Sequence, residues 1–203
     1  MIVIVDYGMG NLRSVQNGFA EAGFDAYISS KKSDIAAARG LILPGVGAFG
    51  QAMENLRSQG LDKLLLEQTQ KGIPLLGICL GLQVLFDRSE EMGEHQGLGL
   101  IPGDVVLFEG ELKVPQIGWN QLCIKRKHPL LNGIGDGDYF YFVHSYYARP
   151  ANEEVILATA DYGIDFPAVV QKDNIFGIQF HPEKSSRLGL KILANFGRLV
   201  QCY

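Results

Sequence analysis

The strongest constraint on this chain is an alternation that fills its first half. Short, continuous apolar runs are each followed by a glycine-bearing loop and then by apolar residues at helical spacing. Ile2 to Val5 is β-branched throughout, the pattern of a strand covered on both faces. Asn11 stands where a helix cap is expected, Leu12, Val15, Phe19 and Ala22 recur at helical spacing, and Gly23 supplies the stop. Gly40 to Leu43, the glycine-rich Pro44 to Gly50, and helical stretches over Gln51 to Leu56 and Leu61 to Lys71 repeat the unit. Leu75 to Ile78 followed by Leu80 to Phe86 repeats it again. Buried strands alternating with amphipathic helices predict an α/β fold, a mostly parallel sheet with helices on both faces.

Past about Gly93 the pattern changes to short strands. They are expected over Val105 to Phe108, Gln121 to Ile124, Tyr139 to Val143, Val155 to Ala160, Ala168 to Gln171 and Ile175 to Phe180. Asp173-Asn174 suits a tight hairpin between the last two. Leu188, Ile192, Leu193, Phe196 and Val200 share one face of a closing helix. No repeat, low-complexity tract or linker interrupts the chain. The expectation is therefore one domain over residues 1–203: a three-layer, flavodoxin-like sheet with an antiparallel extension in its second half.

Composition excludes several classes of function. With 47% hydrophobic and 20% charged residues, the chain matches an ordinary globular protein rather than a disordered one. Its 18 Lys+Arg against 22 Asp+Glu leave no basic field to hold a nucleic-acid backbone. Cys79, Cys123 and Cys202 are widely spaced and form no C-x-x-C pair, so neither a disulfide framework nor a zinc knuckle follows, and a reducing cytoplasm fits best. No His, Cys and acidic residues fall at metal-ligand spacing, so no metal is expected. The start of the chain lacks the basic, then long apolar pattern of a signal peptide. The most apolar stretch, Ile73 to Phe86, is broken by Pro74, Gly77, Gly81 and Gln83, so no membrane span is expected.

Gly77-Ile78-Cys79-Leu80-Gly81 places a thiol between two glycines where a buried strand meets a helix, which resembles a nucleophile elbow. A sharp turn there would thrust Cys79 into a cleft, and a helix N-terminus would favour its thiolate. On the pentapeptide alone, a nucleophile and a cysteine packed as a small hydrophobe stand level. Of His95, His128, His144 and His181, only the last comes with an orienter. In His181-Pro182-Glu183 an extended backbone would put the imidazole and the carboxylate on one face, as a nucleophile-base-acid triad requires. A surface His-Pro turn competes for that tripeptide until it is paired with the elbow. Pro44-Gly45-Val46-Gly47 follows a strand and could offer backbone N–H groups, with that of Leu80, to an oxyanion; a plain turn remains open. Gly8-Met9-Gly10 suggests a dinucleotide fingerprint, but Arg13 stands in place of the third glycine.

These segments together resemble class I glutamine amidotransferases over essentially the whole chain, and within them the glutaminase subunits of imidazole glycerol phosphate synthase. The resemblance is carried by residues 6–11, 44–49, 77–83, Gly118-Trp119-Asn120, residues 142–146 and 180–185. It implies Cys79 as nucleophile, His181 as base and acid, Glu183 as orienter, and the amides of Val46 and Leu80 as oxyanion hole, the former after a loop rearrangement. It implies that Gly47, Gln83, Glu91 and Ser145 hold L-glutamine, although Glu91 also reads as a solvated acid within Ser89-Glu90-Glu91. It implies no cofactor. It further implies a cyclase partner, a β/α barrel that receives ammonia in a heterodimer, with Trp119, Tyr141 and Lys184 near the junction; packing roles for Trp119 and Tyr141 stay open. Where the family often has Pro-His, this chain has Pro115-Gln116, a departure expected on the partner-facing side. A glutaminase for pyridoxal phosphate synthesis would carry Gly-Gly-Glu-Ser in place of Pro44 to Gly47, and a flavodoxin-like module with an inert cysteine is the non-enzymatic alternative.

Overall fold

In the computed structural model, which describes residues 1–109 and 113–202, the alternation becomes a sheet of eight strands. In chain order the elements begin β1 (Ile2–Val5), α1 (Leu12–Glu21), β2 (Ala26–Ser29), α2 (Lys32–Ala36), β3 (Gly40–Gly45), α3 (Phe49–Ser58), α4 (Leu61–Gln70), β4 (Leu75–Cys79) and α5 (Leu80–Gln83). There follow β5 (Phe86–Ser89), β6 (His95–Gln96), β7 (Ile101–Leu107), β8 (Gln116–Gln121), β9 (Cys123–Ile124), β10 (Tyr139–His144) and β11 (Tyr146–Pro150). The last are β12 (Ile156–Asp161), β13 (Asp165–Lys172), β14 (Ile175–Ile178) and α6 (Ser186–Cys202). The main sheet has the order β2-β1-β3-β4-β14-β13-β12-β9. Its members from β2 to β14 run parallel, and β13, β12 and β9 extend it antiparallel, as expected. A β10-β8 ribbon and a four-stranded β11-β7-β5-β6 sheet complete the strands among the described residues.

The continuous apolar runs are explained by two cores, one on each face of the sheet. Along β1, Ile2 and Ile4 enter one core with Val15 and Phe19 of α1 and Ile192 and Phe196 of α6. Val3 and Val5 enter the other with Ala52, Met53 and Leu56 of α3 and Leu65 of α4. A strand buried on both sides has no position for a polar residue.

Local departures have local causes. Asn11 makes no side-chain capping bond, so that expectation fails. Gly23 does end α1: its φ is +86, and the Phe24 and Gly23 amides return to the carbonyls of Phe19 and Ala20. β2 and α2 went unforeseen because β2 is an edge strand with Tyr27 exposed and little apolar signal. The helix expected over Leu80 to Phe86 stops at Gln83, because Phe86 leaves to pair with Ile101 of β7. The strand expected over Gln121 to Ile124 is split: Leu122 is buried in the core, β8 pairs with β10 before it, and β9 joins β12 after it. The Asp173-Asn174 hairpin and the closing helix α6 form as expected, with Asp173 at φ +53.

Candidate active site

Cys79 ends β4 at φ 56 and ψ −111, a backbone conformation that residues other than glycine rarely adopt. Its flanking glycines are required by contact. A Cβ on Gly81 would collide with the Leu43 carbonyl oxygen, and one on Gly77 would stand 2.5 Å from the carbonyl oxygen of Gly81. The turn therefore has the geometry of a nucleophile elbow, with the thiol buried at the floor of a cleft. The helix behind it, however, is the single turn α5, so it brings less of a dipole than the longer helix expected. Leu80 is the first residue of α5, which leaves its N–H without an intrahelical acceptor.

Around the sulfur, Gln179 Nε2 lies 3.8 Å away as a donor, and the thiol lies 3.9 Å from the Val143 carbonyl oxygen. His181 follows β14 and opens a 3-10 turn over Pro182–Lys184, so His181 and Glu183 are not brought together by the extended backbone expected. The turn serves the same end: His181 Nδ1 lies 2.9 Å from Glu183 Oε1, with both side chains almost fully buried. The backbone on each side is fixed, since the His181 amide donates to the Tyr141 carbonyl and Ser185 Oγ donates to the His181 carbonyl. Burial pushes the His181 pKa down, but the neighbouring Cys79 and the hydrogen-bonded Glu183 outweigh it, raising the value from 6.5 to about 10. His181 Nε2 is buried and makes no hydrogen bond among the described residues, leaving it for the sulfur or a leaving group. A thiol beside an imidazole oriented by a carboxylate is suited to attack on an amide carbonyl.

Val46, Gly47, Leu80, Gln83, Glu91 and Ser145 line the same cleft of about 280 Å³ with Cys79 and His181, while Glu183 stands behind the imidazole. Gln83 Nε2 is committed to the Tyr146 carbonyl at 2.8 Å and to Gln179 Oε1 at 3.2 Å, so its own carbonyl oxygen is the group left for a ligand. Glu91 is no freely solvated acid: its Oε2 accepts the Phe49 amide at 2.6 Å, at the first residue of α3. Val46 is 43% exposed at the cleft rim, and Gly47 sits at φ +108. Trp119, Tyr141 and Lys184 lie outside the cleft lining. Trp119 and Tyr141 face each other across β8 and β10 with ring centroids 6.0 Å apart, and Lys184 is exposed beside the triad turn.

Three residues take roles that the sequence reasoning did not assign. Tyr7 is buried and donates to the Pro44 carbonyl at 2.8 Å, bracing the start of the Val46 loop, and burial raises its pKa. Gln179, fully buried, links Gln83 to the sulfur; its signal was a lone polar residue inside the apolar run Ile175 to Phe180. His144 lies among Phe108, Phe142 and Phe166, and burial lowers its pKa to about 4. It is neutral, so Nδ1 carries the proton donated to the Tyr146 carbonyl and Nε2 is a buried acceptor without a partner among the described residues. Gln116 faces His144 across the ribbon and is 3% exposed. The departure at that position is therefore internal and does not lie on a partner-facing surface. Among the described residues, no group of His, Cys, Asp and Glu could hold a metal ion, and no helix is long and apolar enough to cross a membrane.

The model of the family described as glutamine amidotransferase class-I matches residues 3–199. The imidazole glycerol phosphate synthase subunit HisH of Syntrophotalea carbinolica is 52% identical over 204 residues, covering 97% of this chain and 99% of that protein. The subunit of the same name from Caldanaerobacter subterraneus is 50% identical and covers 100% of both. Among solved structures, one described as a glutamine amidotransferase superposes with a TM-score of 0.78 at 20% identity, covering 100% of this chain and 99% of that one. The glutaminase domain of Trypanosoma brucei CTPS, solved with bound acivicin, gives 0.71 at 14% identity, covering 99% and 93%. This chain belongs to the class-I glutamine amidotransferase family, and its relatives there at half identity are imidazole glycerol phosphate synthase subunits HisH.

Proposed function

We propose that this chain, acting as one domain, hydrolyses L-glutamine to glutamate and ammonia and delivers the ammonia to a cyclase subunit of imidazole glycerol phosphate synthase, in histidine biosynthesis. The observation that carries the chemistry is the Cys79 elbow facing an imidazole whose far nitrogen is held by Glu183 at 2.9 Å. Cys79 Sγ attacks the side-chain amide carbon, and the resulting oxyanion rests on the Leu80 amide and, once its loop reorients, on that of Val46. His181 gives its Nε2 proton to the departing nitrogen, the C–N bond breaks, and ammonia leaves a thioester behind. Water then attacks the thioester, losing its proton to His181, and glutamate departs as the sulfur is restored. Gln83, Gly47, Ser145 and Glu91 hold the amino-acid end, with the Glu91 carboxylate suited to the α-ammonium.

Ammonia serves synthesis only while unprotonated and undiluted, which favours a sealed path into a partner. The pairing places the cyclase, a β/α barrel, against the face bearing Trp119, Tyr141 and Lys184, as a cytoplasmic heterodimer. Two exposed side chains on that ribbon, Ile117 and Trp119, are the kind of apolar surface a partner covers. The test is to mix the chain with the cyclase and its ribonucleotide ligand and follow glutamate release and product formation. Cys79→Ala is expected to lose glutamine-dependent turnover and to retain synthesis from added ammonium salts. Retention of glutamine-dependent turnover would overturn the assignment.

A further inference from the structure

The β5-β6 hairpin is fastened to α3 at three points, one in its turn and two on β6. Glu91 Oε2 accepts the Phe49 amide at 2.6 Å, Arg57 donates to the Gln96 carbonyl at 2.7 Å, and the His95 ring presses on Gly50 so closely that a Cβ there would stand 2.6 Å from it. The turn is itself constrained: Ser89 Oγ accepts the Glu91 amide at 3.2 Å, and Met92 and Gly93 hold positive φ. Glu91 thus sits at a boundary. It lines the cleft that contains Cys79, and also an outer groove lined by Gly50, Arg57 and His95.

The residue whose amide Glu91 binds opens α3, and the three residues before it are Val46, Gly47 and Ala48. One carboxylate oxygen therefore anchors the downstream end of the loop that is to supply the Val46 amide. The other, Oε1, makes no hydrogen bond among the described residues. A carboxylate shared between a helix N-terminus and an ammonium ion satisfies two positive centres at once, and each limits where the other can lie.

Resting on the glutaminase function proposed above, we infer that Glu91 is a positioning residue for the Val46 loop as well as a contact for the α-ammonium of glutamine. Substrate binding at the amino-acid end is thereby linked, through the Phe49 amide, to the loop that must stabilise the oxyanion. A residue that only binds the ammonium affects ground state and transition state alike and moves KM. A residue that also sets the loop moves kcat.

The two roles separate in the variants Glu91→Gln and Glu91→Ala, assayed with L-glutamine in the presence of the cyclase. The glutamine side chain keeps an oxygen that can accept the Phe49 amide but loses the charge; alanine loses both. Both variants are expected to raise KM, and kcat of Glu91→Ala is expected to fall about tenfold or more below that of Glu91→Gln. Amide hydrogen exchange on the same proteins gives a second readout. Phe49 is expected to stay protected in the wild type and in Glu91→Gln and to lose protection in Glu91→Ala, with exchange in the core strands β3 and β4 unchanged. Equal kcat values in the two variants, or equal protection of Phe49, would overturn the inference. Absence of glutaminase activity in the wild-type pair would instead overturn the function it rests on.

Discussion

A proton held on His181 at neutral pH has a consequence for stability as well as for chemistry. An imidazole whose pKa rises on folding, here from 6.5 to about 10, stabilises the fold fully below its unfolded value, and that contribution is lost as pH climbs to about 10. The denaturation midpoint is thus expected to decline between those two values. Because Cys79 is among the causes that raise the value, Cys79→Ala should start its decline from the same unfolded value but complete it at lower pH than the wild type. Denaturant titrations across that window check this, and coincident profiles for the two proteins would show that sulfur and imidazole are not coupled. The same residue illustrates how chemistry is set by balance: burial alone would have left His181 neutral, as it does His144, which has a backbone carbonyl in place of a carboxylate and a thiol.

At the scale of elements, the elbow depends on how closely α5 approaches β3. The Leu43 carbonyl occupies the space a side chain at Gly81 would need, so Gly81→Ala must force the end of β3 away from α5. The expected loss is about 2 kcal/mol or more, read as a lower denaturation midpoint, together with loss of glutaminase activity. Such constraints are why the elbow was legible in the sequence: only glycine fits at Gly77 and Gly81, and the residue type announces the contact. The parallel strands were legible for a related reason, since burial on both faces leaves continuous apolar runs. What was not legible depended on partners far along the chain. Tyr7, Gln179 and His144 matter because of a carbonyl, a sulfur and an aromatic cage that other elements bring to them. The joining of His181 to Glu183 was expected, but through an extended backbone; the 3-10 turn that does it depends on Ser185 and Tyr141, which pin the chain from outside the tripeptide. Nor does the sequence around Gln116 tell which side of β8 faces inward: the apolar Ile117 is 63% exposed while polar Gln116 is buried, an inversion fixed by the pairing with β10.

On the scale of the whole molecule, the β10-β8 ribbon carries the exposed apolar residues Ile117, Trp119 and Tyr139 while Phe140 and Phe142 on its other face are buried in the core. Under the proposed pairing, Trp119, the single tryptophan of the chain, reports directly on association. Its emission is expected to shift to the blue and become less accessible to iodide when a tryptophan-free cyclase is added. Trp119→Ala should weaken the complex about tenfold or more, as removal of a buried aromatic anchor does. An unchanged spectrum at saturating cyclase would place the partner elsewhere.

The place of β14 in the sheet sets an order of events during synthesis. It lies between β4 and β13, yet it and the turn carrying His181 emerge from the ribosome about a hundred residues after Cys79. Until then the edge of β4 stands open and the thiol has neither Gln179 nor an imidazole beside it. A nascent chain can therefore complete its β1 to β4 layer without acquiring the means to consume cellular glutamine, and hydrolytic competence arrives in one late step, when the strand slots home.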